Sequence, residues 1–300
     1  MVLRAKSTIR CSIQGFRWSA DASGQLGNGG TNTDQSAPTL VFESTGIYNF
    51  ISAGSEHTCA VSTFGSAFCW GKNTEGQLGN GGTTSSPVPV PVSGLIVFQS
   101  ISAGTGLLGS AHTCGFDTGL VACCWGDNQS GQLGDLTNTQ RLVPTAVLGG
   151  TSIVFLDSGN QYTCAVTFAG AGKCWGANAD GQLGDGTTVA RTAPVAVFGG
   201  LTLDGISTGS RFSCATSSGA VYCWGNNGSG QLGNGTNING PTPVLVTGGW
   251  ILPDLGTGVS EHMCAVTGSG AMFCWGQGLN GRLGNGGTAN SNVPVLVSGT

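Results

Sequence analysis

Between residues 50 and 92 the apolar and polar positions fall into a fixed order. An apolar stretch, "FISAG" from Phe50, gives way to two polar residues, then "HTCAV", a Gly-containing turn and "AFCWG". An Asn-rich loop, "GQLGNG" and the alternation "PVPVPV" from Pro87 complete the block. Each apolar segment is short, rich in β-branched or aromatic residues and cut off by Gly, Asn or Pro, which predicts four strands and no long helix. The block then recurs. With the Gly that opens each "GQLG" or close variant as marker, copies stand at Gly24, Gly76, Gly131, Gly181, Gly230 and Gly281, giving gaps of 52, 55, 50, 49 and 51 residues. A period near fifty belongs to propeller blades rather than to ankyrin or leucine-rich units.

A four-stranded sheet of this size buries neither face alone, and stacking such sheets in a ring buries both. Trp18, Trp70, Trp125, Trp175, Trp224 and Trp275, each six residues before a marker, are expected as apolar wedges between blades with their indole N–H bonded nearby. Leu26, Leu78, Leu133, Leu183, Leu232 and Leu283 are the repeated pegs. The Asn-Gly or Asp-Gly pairs at Asn28, Asn80, Asp185, Asn234 and Asn285 are tight-turn signals, and they lack the spacing of a calcium loop. The expected fold is an all-β propeller of about six four-stranded blades in a single domain over residues 1–300. Residues 1–17 form a degenerate start: Arg17 stands where Cys69 stands in the second copy, and Ser19 replaces Gly71. The first copy also lacks an "ISAG" segment before Trp18. A ring of six closes if "VPVLV" from Val293 completes the first blade, and a partial ring or a seven-bladed relative fits the same count.

"HTCAVSTFGSAFCWGKNTEGQLGNG" and its copies resemble the repeat of the regulator of chromosome condensation family, in the cysteine-bearing version of bacterial chains. The resemblance runs from Trp18 to Val297 and implies a β-propeller, usually of seven blades. It also implies function by holding a protein against one propeller face, as exchange factors for small GTPases and a bacterial β-lactamase inhibitor of similar architecture do. The inserted wedge of the exchange factors has no counterpart here, where no blade is longer by more than five residues, and the aromatic face loops of the inhibitor are missing too.

Composition narrows the partners. The chain has 55 Gly in 300 residues and 8% charged residues, with net charge −4, so it offers no basic field for nucleic acid. The four basic residues of the first seventeen (Arg4, Lys6, Arg10 and Arg17) leave six positive and fourteen negative charges, or −8, for the remainder. "MVL" is followed at once by Arg4, so no secretory signal is visible. The longest apolar runs, such as "LIVF" from Leu95, are far below the roughly 20 residues of a membrane span.

Ten of the twelve Cys form pairs: Cys59 with Cys69, Cys114 with Cys124, Cys164 with Cys174, Cys214 with Cys223, and Cys264 with Cys274. Each pair brackets a predicted hairpin turn, which sets the partners opposite one another on adjacent strands. Five disulfides are the favoured reading and buried thiols the alternative; zinc is disfavoured because no C-x-x-C spacing occurs. Disulfides place the protein in an oxidising compartment, extracellular or in the cell envelope. Cys11 and Cys123 have no mate and are expected free.

No catalytic or cofactor motif emerges. His57, His112 and His262 share a slot that Tyr162 and Phe212 fill in other blades, so the slot wants a flat ring rather than a base. There is no nucleophile elbow, phosphate loop, paired-carboxylate marker or metal set. What varies between copies is the loop after the first strand and the loop after "CWG", which strand alternation places on one face. The candidate contact residues there are Glu56, Lys72, Glu75, Leu107, Leu108, Asp127, Gln161, Asp180, Arg211 and Glu261. Leu107 and Leu108 sit in the longest of these loops and are candidate apolar anchors. A rigid frame carrying varied loops points to a monomeric, non-enzymatic scaffold for a protein partner. A carbohydrate or cell-wall ligand is the alternative reading, with an exchange factor or an axial enzyme site behind it.

Overall fold

The computed structural model describes residues 16–19, 21–30, 33–41, 48–106, 111–249, 254–257 and 261–299. These residues form one short two-stranded sheet and five four-stranded sheets. The short sheet pairs β1 (Phe16–Ser19) with β2 (Gln35–Leu40). The second sheet is β3 (Tyr48–Ala53), β4 (His57–Ser62), β5 (Ala67–Gly71) and β6 (Ser86–Pro91). The third is β7 (Phe98–Ala103), β8 (His112–Asp117), β9 (Ala122–Gly126) and β10 (Arg141–Ala146). The fourth is β11 (Ile153–Ser158), β12 (Tyr162–Thr167), β13 (Gly172–Gly176) and β14 (Arg191–Ala196). The fifth is β15 (Gly205–Thr208), β16 (Phe212–Ser217), β17 (Ala220–Gly225) and β18 (Gly240–Leu245). The last is β19 (Asp254–Thr257), β20 (His262–Val266), β21 (Met272–Gly276) and β22 (Ser291–Leu296). Strands pair antiparallel in sequence order within each sheet, the meander of a propeller blade. The only helical turn described is the 3-10 turn Leu279–Gly281. "VPVLV" stays with its own blade, Val295 opposite Cys274, so it does not complete the first sheet.

Among the four-stranded sheets the first strand is innermost: β3, β7, β11 and β15 bond to one another across blades. The Ala103 amide donates to Ser52 Oγ at 3.0 Å and the Ser158 amide to Ser102 Oγ at 3.0 Å. Asp157 ties three blades together, accepting from Ser102 Oγ at 3.1 Å and from the Thr208 amide at 2.7 Å. The core is layered between blades: in four of the layers the half-cystine pair of one sheet packs with the Trp of the next, as Cys114, Cys124 and Leu133 do with Trp175, while Trp70 packs with Val41 and Ala60.

The repeated phrase is a plug and a socket. Trp70, Trp125, Trp175, Trp224 and Trp275 are fully buried, and their indole N–H groups donate to the backbone oxygens of Gln25, Gln77, Gln132, Gln182 and Gln231 in the preceding blade at 2.9–3.0 Å. Each Gln side chain in turn accepts from the loop backbone two residues earlier, for example Glu75 N to Gln77 Oε1 at 2.9 Å. The second Gly of the phrase lies directly under the plug: at Gly184, with φ +69°, a Cβ would come within 2.7 Å of Trp224 Nε1. Only glycine combines that backbone with that closeness.

All five cysteine pairs are disulfides, with Cα–Cα distances of 4.1 Å. Cys123 is a free, buried thiol, and burial together with the Asp117 charge pushes its pKa up to about 11. Cys11 lies outside the described residues. The ring slot is filled as expected. His57 and His112 reach across to Thr113 and Thr163 of the next blade at 2.9 and 2.8 Å, and the Tyr162 hydroxyl donates to the Phe212 carbonyl.

Candidate interaction face

The two sets of variable loops share one end of the blades. Their backbones are joined directly: Lys72 N donates to Glu56 O, Ala177 N to Gln161 O, Asn226 N to Arg211 O and Gln277 N to Glu261 O, at 2.7–2.9 Å. In four blades an Asn three residues after the Trp builds the second loop from within. Asn73, Asn128, Asn178 and Asn227 are buried; each side-chain oxygen accepts from the peg-Leu amide five residues on, at 2.9–3.0 Å. Their amide groups donate to the turn at i+7 and to carbonyls at i+9 and i+11, as Asn178 does to Asp185, Thr187 and Val189. In the first blade Asp21 keeps only the acceptor half of this arrangement, toward Leu26 N at 2.9 Å.

On this frame the charged candidates pair. Glu56 and Lys72 form an ion pair at 2.7 Å within one blade. Arg211 spans three blades, 3.5 Å from Asp180 and 3.2 Å from Glu261. Asp180 also accepts from Asn226 and Asn239 at 2.9 and 3.0 Å, and Glu261 from Ser229 at 3.2 Å. Such solvent-facing pairs contribute little stability, but they fix loop positions across blade boundaries. Glu75 and Gln161 are half-buried at the same end.

Asp127 requires correction as a contact residue. It is 1% exposed and turned inward, accepting from Gln132 Nε2 at 2.7 Å and from the Gln129 amide at 3.3 Å. Leu107 and Leu108 lie outside the described residues. Asp135 and Asp185 pair with Arg141 and Arg191 at 2.7 Å. Burial opposes ionisation of both carboxyls, but hydrogen bonds from Thr137 and Arg141, and from Thr187 and Arg191, outweigh it and hold them below the ordinary carboxylate range. His262 is shifted down by burial and by the nearby Arg282 charge.

The opposite end carries what the sequence pattern did not reveal. Phe64 and Phe168 sit in the β4–β5 and β12–β13 turns, while Leu95, Leu148 and Phe198 sit in the connections from a fourth strand to the next blade. Both kinds of connection lie at that end, as the Ala171–Thr202 bridge and the Leu203 N to Gly170 O bond show. Phe64, Phe168 and Phe198 are 87%, 65% and 61% exposed, so the exposed aromatic surface is here and not among the variable loops.

A profile of the "Regulator of chromosome condensation (RCC1) repeat" matches residues 65–108, 122–166, 174–216, 218–249 and 269–300, and a second form of the same repeat matches 50–77 and 204–231. The chain belongs to the RCC1 repeat family. RCC1-repeat relatives include human probable E3 ubiquitin-protein ligase HERC6, 33% identical over 45% of this chain and 13% of that protein. The ultraviolet-B receptor UVR8 of Arabidopsis thaliana is 32% identical over 48% of this chain and 32% of that protein. The chain thus spans less than a third of either relative's length. Among solved structures, human WBSCR16 superposes with a TM-score of 0.81 at 19% identity, over 94% of this chain and 76% of that one. Prp20p of Saccharomyces cerevisiae, studied for binding to Gsp1p and histones, superposes with 0.66 at 18% identity, over 98% and 88%. These likenesses establish the propeller fold. No metal-binding group of His, Cys, Asp and Glu occurs among the described residues, and no described helix is long and apolar enough to cross a membrane.

Proposed function

We propose that this RCC1-repeat chain is a non-enzymatic scaffold that acts as a monomer and holds a protein partner against its variable-loop end. Glu56, Lys72, Glu75, Gln161, Asp180, Arg211 and Glu261 make the contact. The observation carrying this reading is the Asp180–Arg211–Glu261 chain, in which side chains from three successive blades are tied into one patterned charge surface over a frame that otherwise repeats. Prp20p, a propeller of the same fold, has binding properties toward Gsp1p and histones, which supports a protein as the partner. Five disulfides support an oxidising setting, extracellular or in the cell envelope.

A second reading has its own observation: the exposed Phe64, Phe168 and Phe198 make the opposite end the better apolar docking surface. Affinity capture from the source organism's extracellular fraction separates the two. Arg211→Glu, which sets like charges beside Asp180 and Glu261, is expected to weaken the captured partner by roughly tenfold or more, about 1.4 kcal/mol. The triple variant Phe64→Ser, Phe168→Ser, Phe198→Ser should retain it. The reverse pattern moves the contact to the apolar end, and retention by a glycan array with no protein captured replaces the protein partner by carbohydrate.

A further inference from the structure

Four blades place an Asn-Gly pair in the turn after the peg Leu: Asn28, Asn80, Asn234 and Asn285. Such a pair has an intrinsic reaction. The Gly amide nitrogen, once deprotonated, attacks the Asn side-chain carbonyl carbon; the bond to Nδ2 breaks, ammonia leaves, and a five-membered succinimide remains. Water then opens the ring to Asp or isoaspartate, so solvent is the only co-reactant. The fold controls three requirements: a Gly amide free of hydrogen bonds, a carboxamide free to turn, and access for water.

The four turns differ on each count. The Gly29, Gly81 and Gly235 amides donate to the outer strand of the next blade, at Pro87 O, Leu142 O and Asn292 O, over 2.8–3.0 Å. The Gly286 amide has no acceptor among the described residues. The Asn80 and Asn234 oxygens are gripped by the buried Asn73 and Asn227 amides at 3.2 and 3.3 Å, and Asn234 also accepts from Thr236 Oγ1 at 2.9 Å. At the equivalent of that bracing Asn the last blade has Gly278 and the first has Asp21, neither of which carries a side-chain donor. Asn285 keeps a single bond, from the Gly287 amide at 3.1 Å, and it alone of the four is exposed. Space around Gly286 is open, with nothing within 4 Å of where a Cβ would stand.

We propose that Asn285 is a site of spontaneous deamidation, selected from four equivalent turns because its blade lacks both restraints. The product would matter electrostatically. Where the repeat natively carries Asp at this turn, at Asp135 and Asp185, an Arg six residues later neutralises it at 2.7 Å. Six residues after Asn285 stands Ser291, so the new carboxylate has no counter-cation from that position, and the chain's formal net charge moves from −4 to −5.

Incubating the purified chain in mildly alkaline buffer and mapping its peptides by mass spectrometry tests this, since deamidation adds about one dalton. The Asn285 peptide should gain that mass roughly tenfold faster than the Asn80 and Asn234 peptides, with Asn28 between them, the span expected for loss of one amide bond and one brace. Isoaspartate-specific methylation should label the same peptide, and Asn285→Gln should abolish its signal. Asn227→Asp, which copies the acceptor-only arrangement of Asp21, should accelerate Asn234 while native fluorescence is kept. Equal rates at Asn285, Asn80 and Asn234 would overturn the proposal.

Discussion

His112, Tyr162 and Phe212 occupy one slot in three neighbouring blades, and the chemistry of that slot decides the protonation of the histidine. Thr163 gives its hydroxyl proton to the Gln132 carbonyl at 3.0 Å, so its oxygen is left to accept from His112 Nε2–H. The other ring nitrogen, Nδ1, is buried with no partner among the described residues. Burial therefore pushes the His112 pKa down to about 3, against about 6.5 for an unfolded His. Between those values the unfolded chain holds a proton that the native chain refuses. The stabilisation is complete above about pH 6.5 and drains away as pH falls toward about 3, by about 1.4 kcal/mol for each unit of difference. His112→Phe, which copies the native Phe212, removes this proton from both states. Urea midpoints followed by indole fluorescence should then fall less steeply from pH 6.5 to 4 than in the wild-type chain, and an unchanged slope would mean that the native imidazole already takes the proton.

At the scale of the strand and turn, the "CWG-x-N-x-x-GQLG" phrase is contiguous in sequence but divided in space. Its Trp plugs into the blade before, while its own Gln-Leu-Gly receives the Trp of the blade after. The wedge, the peg and the disulfide partners were legible because burial and strand pairing impose fixed residue types at a fixed period. The direction of the plug was not, since periodicity is the same whichever neighbour receives it. Asp127 and Asn128 were equally opaque: a polar side chain in a loop reads as solvent-facing until its backbone partners are known. The exposed Phe64 and Phe168 were hidden by lying in short turns that the alternation treats as mere punctuation. The socket yields a sharp test. Gly184→Ala puts a Cβ 2.7 Å from Trp224 Nε1 at φ +69°, while Gly199→Ala, at φ +96° with nothing within 4 Å, incurs backbone strain alone. Strain costs about 1–2 kcal/mol and overpacking a further 1–3, so Gly184→Ala should lower unfolding stability by that extra amount relative to Gly199→Ala. Equal losses in chemical denaturation would remove the socket as the reason for glycine.

For the molecule as a whole, stability is a chain of neighbour-to-neighbour contacts, so a disulfide is protected by the blade that covers it as much as by its own sheet. The sulfurs of Cys59, Cys114 and Cys164 rest against Thr113, Thr163 and Ser213 of the following blade at 4.0, 3.6 and 3.7 Å. Eight of the half-cystines are fully buried, whereas Cys264 in the last sheet is partly exposed and its partner Cys274 is 2% exposed. A thiolate must reach a sulfur to begin exchange, and at the four buried bridges it reaches one only when two blades part. Native-state reduction with pulsed alkylation should therefore open Cys264–Cys274 first, by roughly tenfold if its local opening costs about 1.4 kcal/mol less than separating two blades. The remaining four should follow together as the indole signal is lost, because each bridge closes a loop worth roughly 2.7 kcal/mol in the chain-entropy description and its removal loosens the layer it shares with the next Trp. Reduction of all five at one rate while the indoles stay buried would show that blade-on-blade packing does not guard the sulfurs, and the layered account of this propeller's stability would fall with it.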